Sequence, residues 1–272
     1  MRQQAKARGI GKSSIGRLTS RSLVAYVRHW KSAWINLVAP EGHLVLVADA
    51  IWYRVAGVKH TIYCMLLRPR DGDQAVILPP IMTIGHEDIA GWLQALCAVP
   101  EDIQSRIGAV VCDGGTGIVA LARRHNWLLQ RCQFHLLSAV QNYLTTGPRS
   151  KHPDLARRVM HDVQAVLSAD SLDSAREHRA RLSELCRTTR SRGLRRVLSG
   201  LELNMNDYRA CFLHPEWRLP ATSNTAESFI QCVRDLMYRC RGFRTKERLA
   251  LWLRALALHK KTIWCRPKNQ PN

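Results

Sequence analysis

The feature that most constrains the fold is an apolar run that ends in an aspartate and two glycines, Val110-Val111-Cys112-Asp113-Gly114-Gly115. Such a run predicts a short buried strand that carries one carboxylate to the open edge of a sheet. The glycines allow a second backbone, of protein or nucleic acid, to come close. A similar run, from Leu44 to Ala48, ends at Asp49. We therefore expect two carboxylates at the ends of two buried strands.

The segments around these two aspartates predict a mixed α/β order. Strand-like runs span 44–52, 61–67 and 75–81, and the short turns between them are typical of an antiparallel meander. The pattern then predicts a helix at 86–98, a strand at 107–112, a helix at 116–125 and a strand at 127–132. In this order the end of the fourth strand lies beside the middle of the first. Asp49 and Asp113 are therefore expected to be neighbours.

The later part of the chain is predicted to be helical. No strand signal occurs between about 136 and 207, where helical patterns are dense in arginine, and this predicts an all-helical insertion that starts near Lys151. Such arginines commonly lie on solvated helix faces, but their excess over acidic residues argues that one face meets phosphate. Upstream, the apolar spacing predicts a basic helix at 20–37.

A third acidic residue, Glu227, lies in the first turn of a helix predicted at 224–241. Ser223 or Asn224 is a good N-cap for this helix, because either side chain can accept a hydrogen bond from its first turn. A final helix is predicted at 245–264.

Taken singly, each of the three acids has an ordinary explanation. A carboxylate at a strand end often caps a loop, and a glutamate near a helix N-terminus is favoured by the helix dipole. Together, Asp49, Asp113 and Glu227 are predicted to lie on the same edge of one sheet. Three carboxylates that converge there could hold hard divalent cations.

The charge balance indicates a polyanionic partner. The chain has 41 Lys+Arg against 21 Asp+Glu, a net charge of +20, and such an excess favours nucleic acid. A basic membrane-surface protein is the alternative, but no long basic amphipathic segment with aromatic anchors supports it, and no apolar stretch approaches the ~20 residues that span a bilayer. The nine cysteines include no Cys-x-x-Cys pair, which predicts free thiols in a reducing cytoplasm.

Two short motifs near the acids resemble those of a known family. Cys132-Gln133-Phe134-His135 matches the Cys/Asp-x-x-His motif of Mutator-like DDE transposases, and Thr222-Ser223-Asn224-Thr225-Ala226-Glu227-Ser228 is similar to that group's segment around its catalytic glutamate. The order of elements, with an aspartate in the first strand, an aspartate after the fourth and a glutamate on a helix after an insertion, also resembles the core of these enzymes. Over about residues 40–265 the chain is similar to bacterial Mutator-type insertion-sequence transposases.

The resemblance implies an α/β fold, a ribonuclease H-like mixed sheet flanked by helices, with an all-α insertion before the catalytic glutamate. It implies a DNA transposase that cleaves strands at transposon ends and joins them to target DNA by two-metal in-line phosphoryl transfer. Asp49, Asp113 and Glu227 would be the catalytic residues and would bind two Mg²⁺ ions, with Mn²⁺ as a substitute. The alternatives are a ribonuclease H-like nuclease and a non-catalytic DNA-binding protein derived from a decayed or domesticated transposase.

Cys132 and His135 are expected to support the site from the end of the fifth predicted strand, together with Asn224 on the glutamate helix. The Cys-His pair also resembles half of a zinc site, but a structural zinc needs four protein ligands. Distant residues such as Cys112 or His125 would have to complete it. A packing or site-supporting role is therefore favoured, with His135 close to the bound phosphate.

A basic cluster that continues from the glutamate helix is expected to contact DNA. Its side chains are either simply solvated or bound to the phosphates of a transposon end, and such contacts position DNA without reading its sequence. The resemblance implies double-stranded DNA, both transposon ends and target, as the partner of a homodimer or larger assembly at the nucleoid of a bacterial cytoplasm. The basic cluster comprises Arg234, Arg239, Arg241, Arg244, Lys246 and Arg248.

These elements divide the chain into five predicted segments. Family members carry a sizeable N-terminal DNA-binding region, so the short basic segment before the core is interpreted as its remnant. The segments are 1–40 (basic N-terminal segment), 41–150 (first part of the core), 151–214 (helical insertion), 215–265 (second part of the core, with the glutamate helix) and 266–272 (tail). Within the core, Trp52 and Trp127 are predicted to be buried.

Overall fold

The first half of the chain contains both strands and helices, and helices dominate the second half. A computed structural model describes residues 12–145, 153–171 and 173–265. The first half contains α1 (Lys12–His29), β1 (Leu44–Val55), β2 (Val58–Pro69), β3 (Gln74–Ile77), β4 (Ile81–Ile84), α2 (Ile89–Leu96), α3 (Glu101–Gln104), β5 (Ile107–Cys112), α4 (Thr116–Arg124) and β6 (Leu128–Arg131). The second half contains α5 (Gln133–Thr145), α6 (Pro153–Ser168), α7 (Arg176–Thr188), α8 (Arg192–Leu203), α9 (Met205–Leu213), α10 (Asn224–Arg239), α11 (Lys246–Lys260) and β7 (Thr262–Trp264).

The strands form one mixed sheet of seven strands in the order β6-β5-β1-β2-β3-β7, and β4 pairs with β2 beside β3. β1, β5 and β6 run parallel to one another, whereas β2 is antiparallel to β1, β3 and β4. Helices cover both faces of the sheet. The predicted mixed α/β class is confirmed, and this sheet is consistent with a ribonuclease H-like type of fold.

Alternate residues of β1 face two different cores, as the two-residue period of a strand requires. Leu46 belongs to a core beneath α2 and α4. Val47 belongs to a core on the opposite face, beneath α10 and α11. Burying a leucine or valine side chain contributes about 1.5–3 kcal/mol, and a one-residue slip of β1 would exchange the two sets of side chains. The register of β1, and with it the face on which Asp49 lies, is therefore strongly specified.

The helices α5 to α9 pack around a third core that contains residues from all five. Two buried glutamines tie this layer to the sheet: the side-chain Nε2 atoms of Gln130 and Gln133 donate to the carbonyl oxygen of Tyr208 at 3.0 and 2.8 Å. The backbone N–H of Cys211 donates to Gln130 Oε1 at 2.7 Å. The predicted start of the insertion at 151 lies outside the described residues, as do residues 1–11 of the N-terminal segment and the tail at 266–272.

The strand predicted at 75–81 is wrong, because this stretch is two strands. β3 ends at Ile77 and β4 begins at Ile81, and both pair with β2. Pro79 and Pro80 lie between them and have no N–H to donate to a strand neighbour, so the ladder breaks there. The strands predicted at 44–52, 61–67, 107–112 and 127–132 are confirmed, with bounds that differ by a few residues.

Two predicted helix bounds are also wrong. The final helix ends at Lys260 rather than at 264, because Lys261 turns the chain with a φ of +64° and residues Thr262–Trp264 pair with β3. The basic helix predicted at 20–37 is α1, which ends at His29. The apolar spacing continues past that helix because Trp34 and Val38, which flank a 3₁₀ turn at Ile35–Leu37, pack into the sheet core.

Trp127 is buried as predicted, but the prediction for Trp52 is wrong, since Trp52 is 63% exposed. β5 pairs with β1 only between Leu44 and Ala48, so the second half of β1 has no strand neighbour on that side among the described residues. Lys59 Nζ lies 5.4 Å from the centroid of the Trp52 ring. The β1–β2 hairpin therefore extends past the end of β5, with an exposed aromatic side chain three residues beyond Asp49.

Gly91 allows α2 to lie directly on the sheet, and this contact gives a test of the packing. A Cβ atom at Gly91 would overlap the Tyr63 side chain, whereas a Cβ at Gly200, in the helix α8, would meet nothing within 4 Å. We expect Gly91→Ala to lower the free energy of unfolding by about 1–3 kcal/mol through overpacking. Gly200→Ala should instead leave it unchanged or raise it by up to ~1 kcal/mol through helix propensity. Urea unfolding of both variants measures the difference, and equal stabilities would contradict the packing of α2.

Candidate active site

The parallel pairing of β1 and β5 places the first two acids side by side. Ala48 lies opposite Cys112 in this pairing, so Asp49 and Asp113, the next residue on each chain segment, are adjacent. Val47 and Val111, two residues earlier, both face the core beneath α10 and α11. By the alternation of a strand, the two carboxylates lie on that same face of the sheet.

A backbone N–H group holds each aspartate in a fixed orientation. The N–H of Ala50 donates to Asp49 Oδ1 at 2.7 Å, and the N–H of Gly115 donates to Asp113 Oδ1 at 2.8 Å. Gly114 has a φ of +94°, a conformation that glycine adopts without the steric cost of a Cβ atom. The Asp-Gly-Gly sequence therefore turns the chain sharply after β5 and directs one amide back to the carboxylate.

Glu227 is brought to the same edge by contacts between the end of β6 and the N-terminus of α10. The N–H of Gln133 donates to the carbonyl oxygen of Ala221 at 2.9 Å, and the N–H of Ser223 donates to Cys132 Sγ at 3.3 Å. Ser223 occupies the N-cap position of α10 as predicted, but its side chain makes no capping hydrogen bond. Cys132 is fully buried and acts as the acceptor that anchors the start of this helix.

His135 connects this anchor to the glutamate. Its Nε2 atom lies 3.2 Å from Glu227 Oε1. The nearby Cys132 sulfur raises the pKa of His135 to about 9, and the charge of Glu227 adds to this effect, while burial opposes it. Burial raises the pKa of the Cys132 thiol, but the proximity of His135 and the hydrogen bond from Ser223 outweigh burial, so this pKa lies below the ordinary thiol value. At neutral pH His135 is therefore a cation beside Glu227.

The electrostatics link all these groups to Asp49. Burial raises the pKa of Asp49 to about 7, and the charge of Asp113 is the second cause, with a smaller contribution from Glu227. The N–H of Ala50 and the charge of His135 act in the opposite direction. The structure thus brings Asp49, Asp113, His135 and Glu227 within electrostatic reach of one another. The ligand atoms of the three acids do not all lie within 4.8 Å of one another, a spacing that repulsion between like charges favours.

The structure also contains a candidate metal-binding triad in the helical layer, which the sequence did not reveal. Ligand atoms of His161, Asp162 and His178 all lie within 4.8 Å of one another. His178 Nδ1 is 2.7 Å from Asp162 Oδ1, and Arg181 donates to the same carboxylate at 2.8–3.1 Å. Arg181 thus neutralises Asp162 and joins α6 to α7. The triad could not be predicted because its members come from two helices without a recognisable spacing.

Cys132 and His135 are not members of such a group within the described part of the chain. His125 lies at the opposite end of α4 from Asp113, stacked on Trp127 with ring centroids 4.8 Å apart. Cys112 contacts Cys132 through its backbone, since its carbonyl oxygen accepts the Cys132 N–H at 2.7 Å. The site-supporting role expected of this pair stays a prediction, and the pair's described contacts are with the start of α10 and Glu227. All nine cysteines are free thiols, as predicted.

Two residues that the sequence analysis missed lie beside Asp113. Glu87 precedes α2, and its Oε1 atom accepts the indole N–H of Trp92 at 2.8 Å. Arg131 is the last residue of β6; its guanidinium lies next to Gly114 and 3.4 Å from Asp207. Arg131 could have been found from the rule that the ends of parallel strands meet at one edge. The position of Glu87 depends on how α2 packs, which the sequence pattern does not reveal.

The basic cluster predicted to bind DNA lies on the exposed side of α10, in the turn that follows and in the first turn of α11. Arg248 is half-buried and the others are exposed. No member of the cluster forms a salt bridge with another described residue. Asn224 is exposed at the first position of α10, three residues before Glu227. The cluster comprises Arg234, Arg239, Arg241, Arg244, Lys246 and Arg248.

Comparisons with known proteins do not assign the chain to a family. No model of a known protein family matches it, and no curated protein matches it either. Among the described helices, none has the length and apolar character needed to cross a membrane.

The raised pKa of Asp49 predicts that the site costs stability. Folding raises the pKa of Asp49 from 3.8 to about 7. Ionised Asp49 therefore lowers the free energy of unfolding, and this destabilisation grows as pH increases between about 4 and 7. With EDTA present at pH 8, we expect Asp49→Asn to raise the free energy of unfolding by roughly 1–3 kcal/mol. The gain should shrink as the pH falls towards 4.

Urea unfolding at pH 8 and at pH 4.5 measures both values. Asp102→Asn is the matched control, because Asp102 is an exposed acid on α3. Its stability should follow that of the wild type at both pH values. A destabilised or unchanged Asp49→Asn protein at pH 8 would contradict the convergence of carboxylates around Asp49.

Proposed function

We propose that this protein is a metal-dependent DNA transposase with a ribonuclease H-like catalytic core and an all-α insertion before the catalytic glutamate. Asp49, Asp113 and Glu227 would be its catalytic residues. The observation that carries the proposal is the pairing of β1 with β5, which sets Asp49 beside Asp113, together with the contacts of Cys132 and His135 that hold the Glu227 helix at the same edge. The resemblance of the Cys132–His135 and Thr222–Ser228 motifs to Mutator-like transposases supports the same conclusion.

The residues at this edge fit divalent cations of the Mg²⁺ class. Carboxylate oxygens are the ligands that Mg²⁺ and Mn²⁺ prefer. A partly buried acid beside two others is unfavourable when ionised, as the pKa of Asp49 shows, and a cation between them would remove that cost. A pair of bound Mg²⁺ ions would supply activation of a water or DNA 3′-OH nucleophile and stabilisation of the leaving oxygen.

The other residues at the edge have roles that follow from their charge. Protonated His135 orients Glu227 through its Nε2–H and places a positive charge where a scissile phosphate would lie. Arg131, beside Gly114, can donate to the same phosphate, because Asp207 and the Tyr208 ring hold its guanidinium in place. Both hydrolysis and strand transfer are in-line displacements at phosphorus, so one arrangement serves both when the nucleophile is exchanged.

The exposed side of α10 provides a path for DNA away from the site. Arg234 follows Glu227 by two helical turns on the same side, about 10 Å along the axis. Tyr238, one turn further on, is 86% exposed among basic neighbours. The unpaired cations of this cluster suit phosphate contacts, and the net charge of +20 suits a polyanionic partner. The family resemblance also implies a dimer or larger assembly on two element ends.

The catalytic proposal is tested with a plasmid that carries the DNA flanking the coding sequence, together with pre-cleaved ends of that DNA. We expect strand cleavage and joining that require Mg²⁺ or Mn²⁺. Asp113→Asn should lower the cleavage rate roughly 10³-fold, because it removes one charged ligand oxygen from the metal site. Asp102→Asn, an exposed acid at the opposite end of the sheet, should retain the wild-type rate.

The products distinguish the three functions. Joined products support a transposase, whereas cleavage without joining would indicate a nuclease of the same fold. Binding without either reaction, under conditions in which the wild type is folded, would indicate a non-catalytic DNA-binding protein and would overturn the proposal.

DNA contacts by the basic cluster are tested by fluorescence anisotropy with a 30-bp duplex over a range of salt concentrations. We expect Arg234→Gln and Arg244→Gln each to weaken binding and to reduce the slope of log K against log salt by about 1, because each removes one phosphate contact. Arg124→Gln is the matched control, since Arg124 is exposed at the end of α4 away from the site. If all three variants bind alike, the cluster does not contact DNA.

A further inference from the structure

Glu87 is a carboxylate aimed at the candidate active site from an element that carries none of the three acids discussed so far. It lies between β4 and α2, and its Oε1 atom is fixed by the indole N–H of Trp92 at 2.8 Å. The next residue is held equally well. The N–H of Asp88 donates to the Tyr63 hydroxyl at 3.3 Å, and Asp88 Oδ1 accepts the N–H of Gly91 at 2.8 Å as the N-cap of α2. Glu87 therefore sits on a rigid turn.

The glycines after Asp113 create the space into which Glu87 fits. A Cβ atom at Gly115 would lie 2.7 Å from Glu87 Oε1 and 3.3 Å from Asp113 Oδ1. Both carboxylates therefore lie close to the position that a side chain at residue 115 would occupy. A Cβ at Gly117 would lie 2.7 Å from the carbonyl carbon of Asp88. The N-terminus of α4 and the turn before α2 can therefore approach this closely only because positions 115 and 117 lack side chains.

Neither carboxylate at this contact has a salt-bridge partner among the described residues. Glu87 forms no salt bridge with a described residue, and the same is true of Asp113. Burial and the charge of Asp113 both raise the pKa of Glu87, while the hydrogen bond from Trp92 lowers it. A purely structural partner for the Trp92 indole would need only a neutral oxygen. A rigid carboxylate facing a second carboxylate is what a hard cation requires.

We propose that Glu87 is a fourth carboxylate of the active site, which contacts the divalent cation held by Asp113, directly or through one of the cation's water ligands. This inference rests on the proposed function, since it adds a residue to the same metal site. In this proposal Gly115 and Gly117 leave the space that the turn with Glu87 needs, and Trp92 orients the Glu87 carboxylate. Glu87 is thereby a ligand-shell residue from the turn between β4 and α2, whereas the other three lie on β1, just after β5 and on α10.

Mn²⁺ alone is the probe, and its binding to the full chain is followed by electron paramagnetic resonance of the free ion. Glu87→Gln keeps an oxygen that can accept the Trp92 N–H and removes only the charge. We expect it to weaken Mn²⁺ binding about tenfold, as loss of a ligand-orienting partner typically does. Glu87→Asp keeps the charge but withdraws it by one methylene, so an intermediate loss is expected. Glu101→Gln, an exposed acid on α3, should bind Mn²⁺ like the wild type.

Three outcomes separate this inference from the proposed function. Weaker binding by Glu87→Gln, with the urea midpoint unchanged or raised and Glu101→Gln unaffected, supports it. Binding that is lost in Asp113→Asn but unchanged in both Glu87 variants would overturn the role of Glu87 and leave the proposed metal site intact. If the wild type binds no Mn²⁺ at millimolar concentration, both the metal site and the role of Glu87 are overturned.

Discussion

The parallel pairing of β1 with β5 is the constraint on which the candidate site depends. It sets Ala48 opposite Cys112 and so puts Asp49 beside Asp113. The pairing is fixed by burial on both faces, because a slip by one residue would expose each set of valine and leucine side chains to the wrong core. The position of two acids at the edge is thus a consequence of hydrophobic packing several residues away, and not of any attraction between the acids themselves.

The three acids repel one another, and contacts made by Cys132 and His135 offset this repulsion. The thiol of Cys132 anchors Ser223, and the imidazolium of His135 faces Glu227 at 3.2 Å. One buried cysteine therefore fixes the start of α10 and, through His135, supplies positive charge close to the carboxylates. These contacts give both members of the Cys-x-x-His motif a structural role at the start of α10. The spacing of three puts Cys132 at the end of β6 and His135 in the first turn of α5, so both reach the N-terminus of α10.

Much of this arrangement could be predicted from sequence, and what could not has a physical reason. Long apolar runs predict β1 and β5 because strands buried on both faces need them, and the end of such a run identifies Asp49 and Asp113. β7 is three residues long and pairs at an edge, so its sequence carries no burial pattern of its own. Glu87 and the His161–Asp162–His178 triad depend on which helices meet, and helix contacts leave no fixed spacing in the chain. Arg131 differs from these residues, because the end of a parallel strand is a position that sequence reasoning can identify.

Although the chain has a net charge of +20, its basic side chains are arranged so that Asp49 and Asp113 form no salt bridge with a described residue. The arginines near the site have other partners or none: Arg131 pairs with Asp207, and Arg234 extends from the exposed side of α10. Asp49 and Asp113 are oriented instead by backbone N–H groups, which carry no net charge and cannot neutralise them. Had an arginine been packed against either aspartate, the carboxylate would be satisfied and its affinity for a dication would fall. The sheet edge therefore presents Asp49 and Asp113 without salt bridges to described residues, while His135 pairs with Glu227 and the arginines of α10 lie on its exposed side.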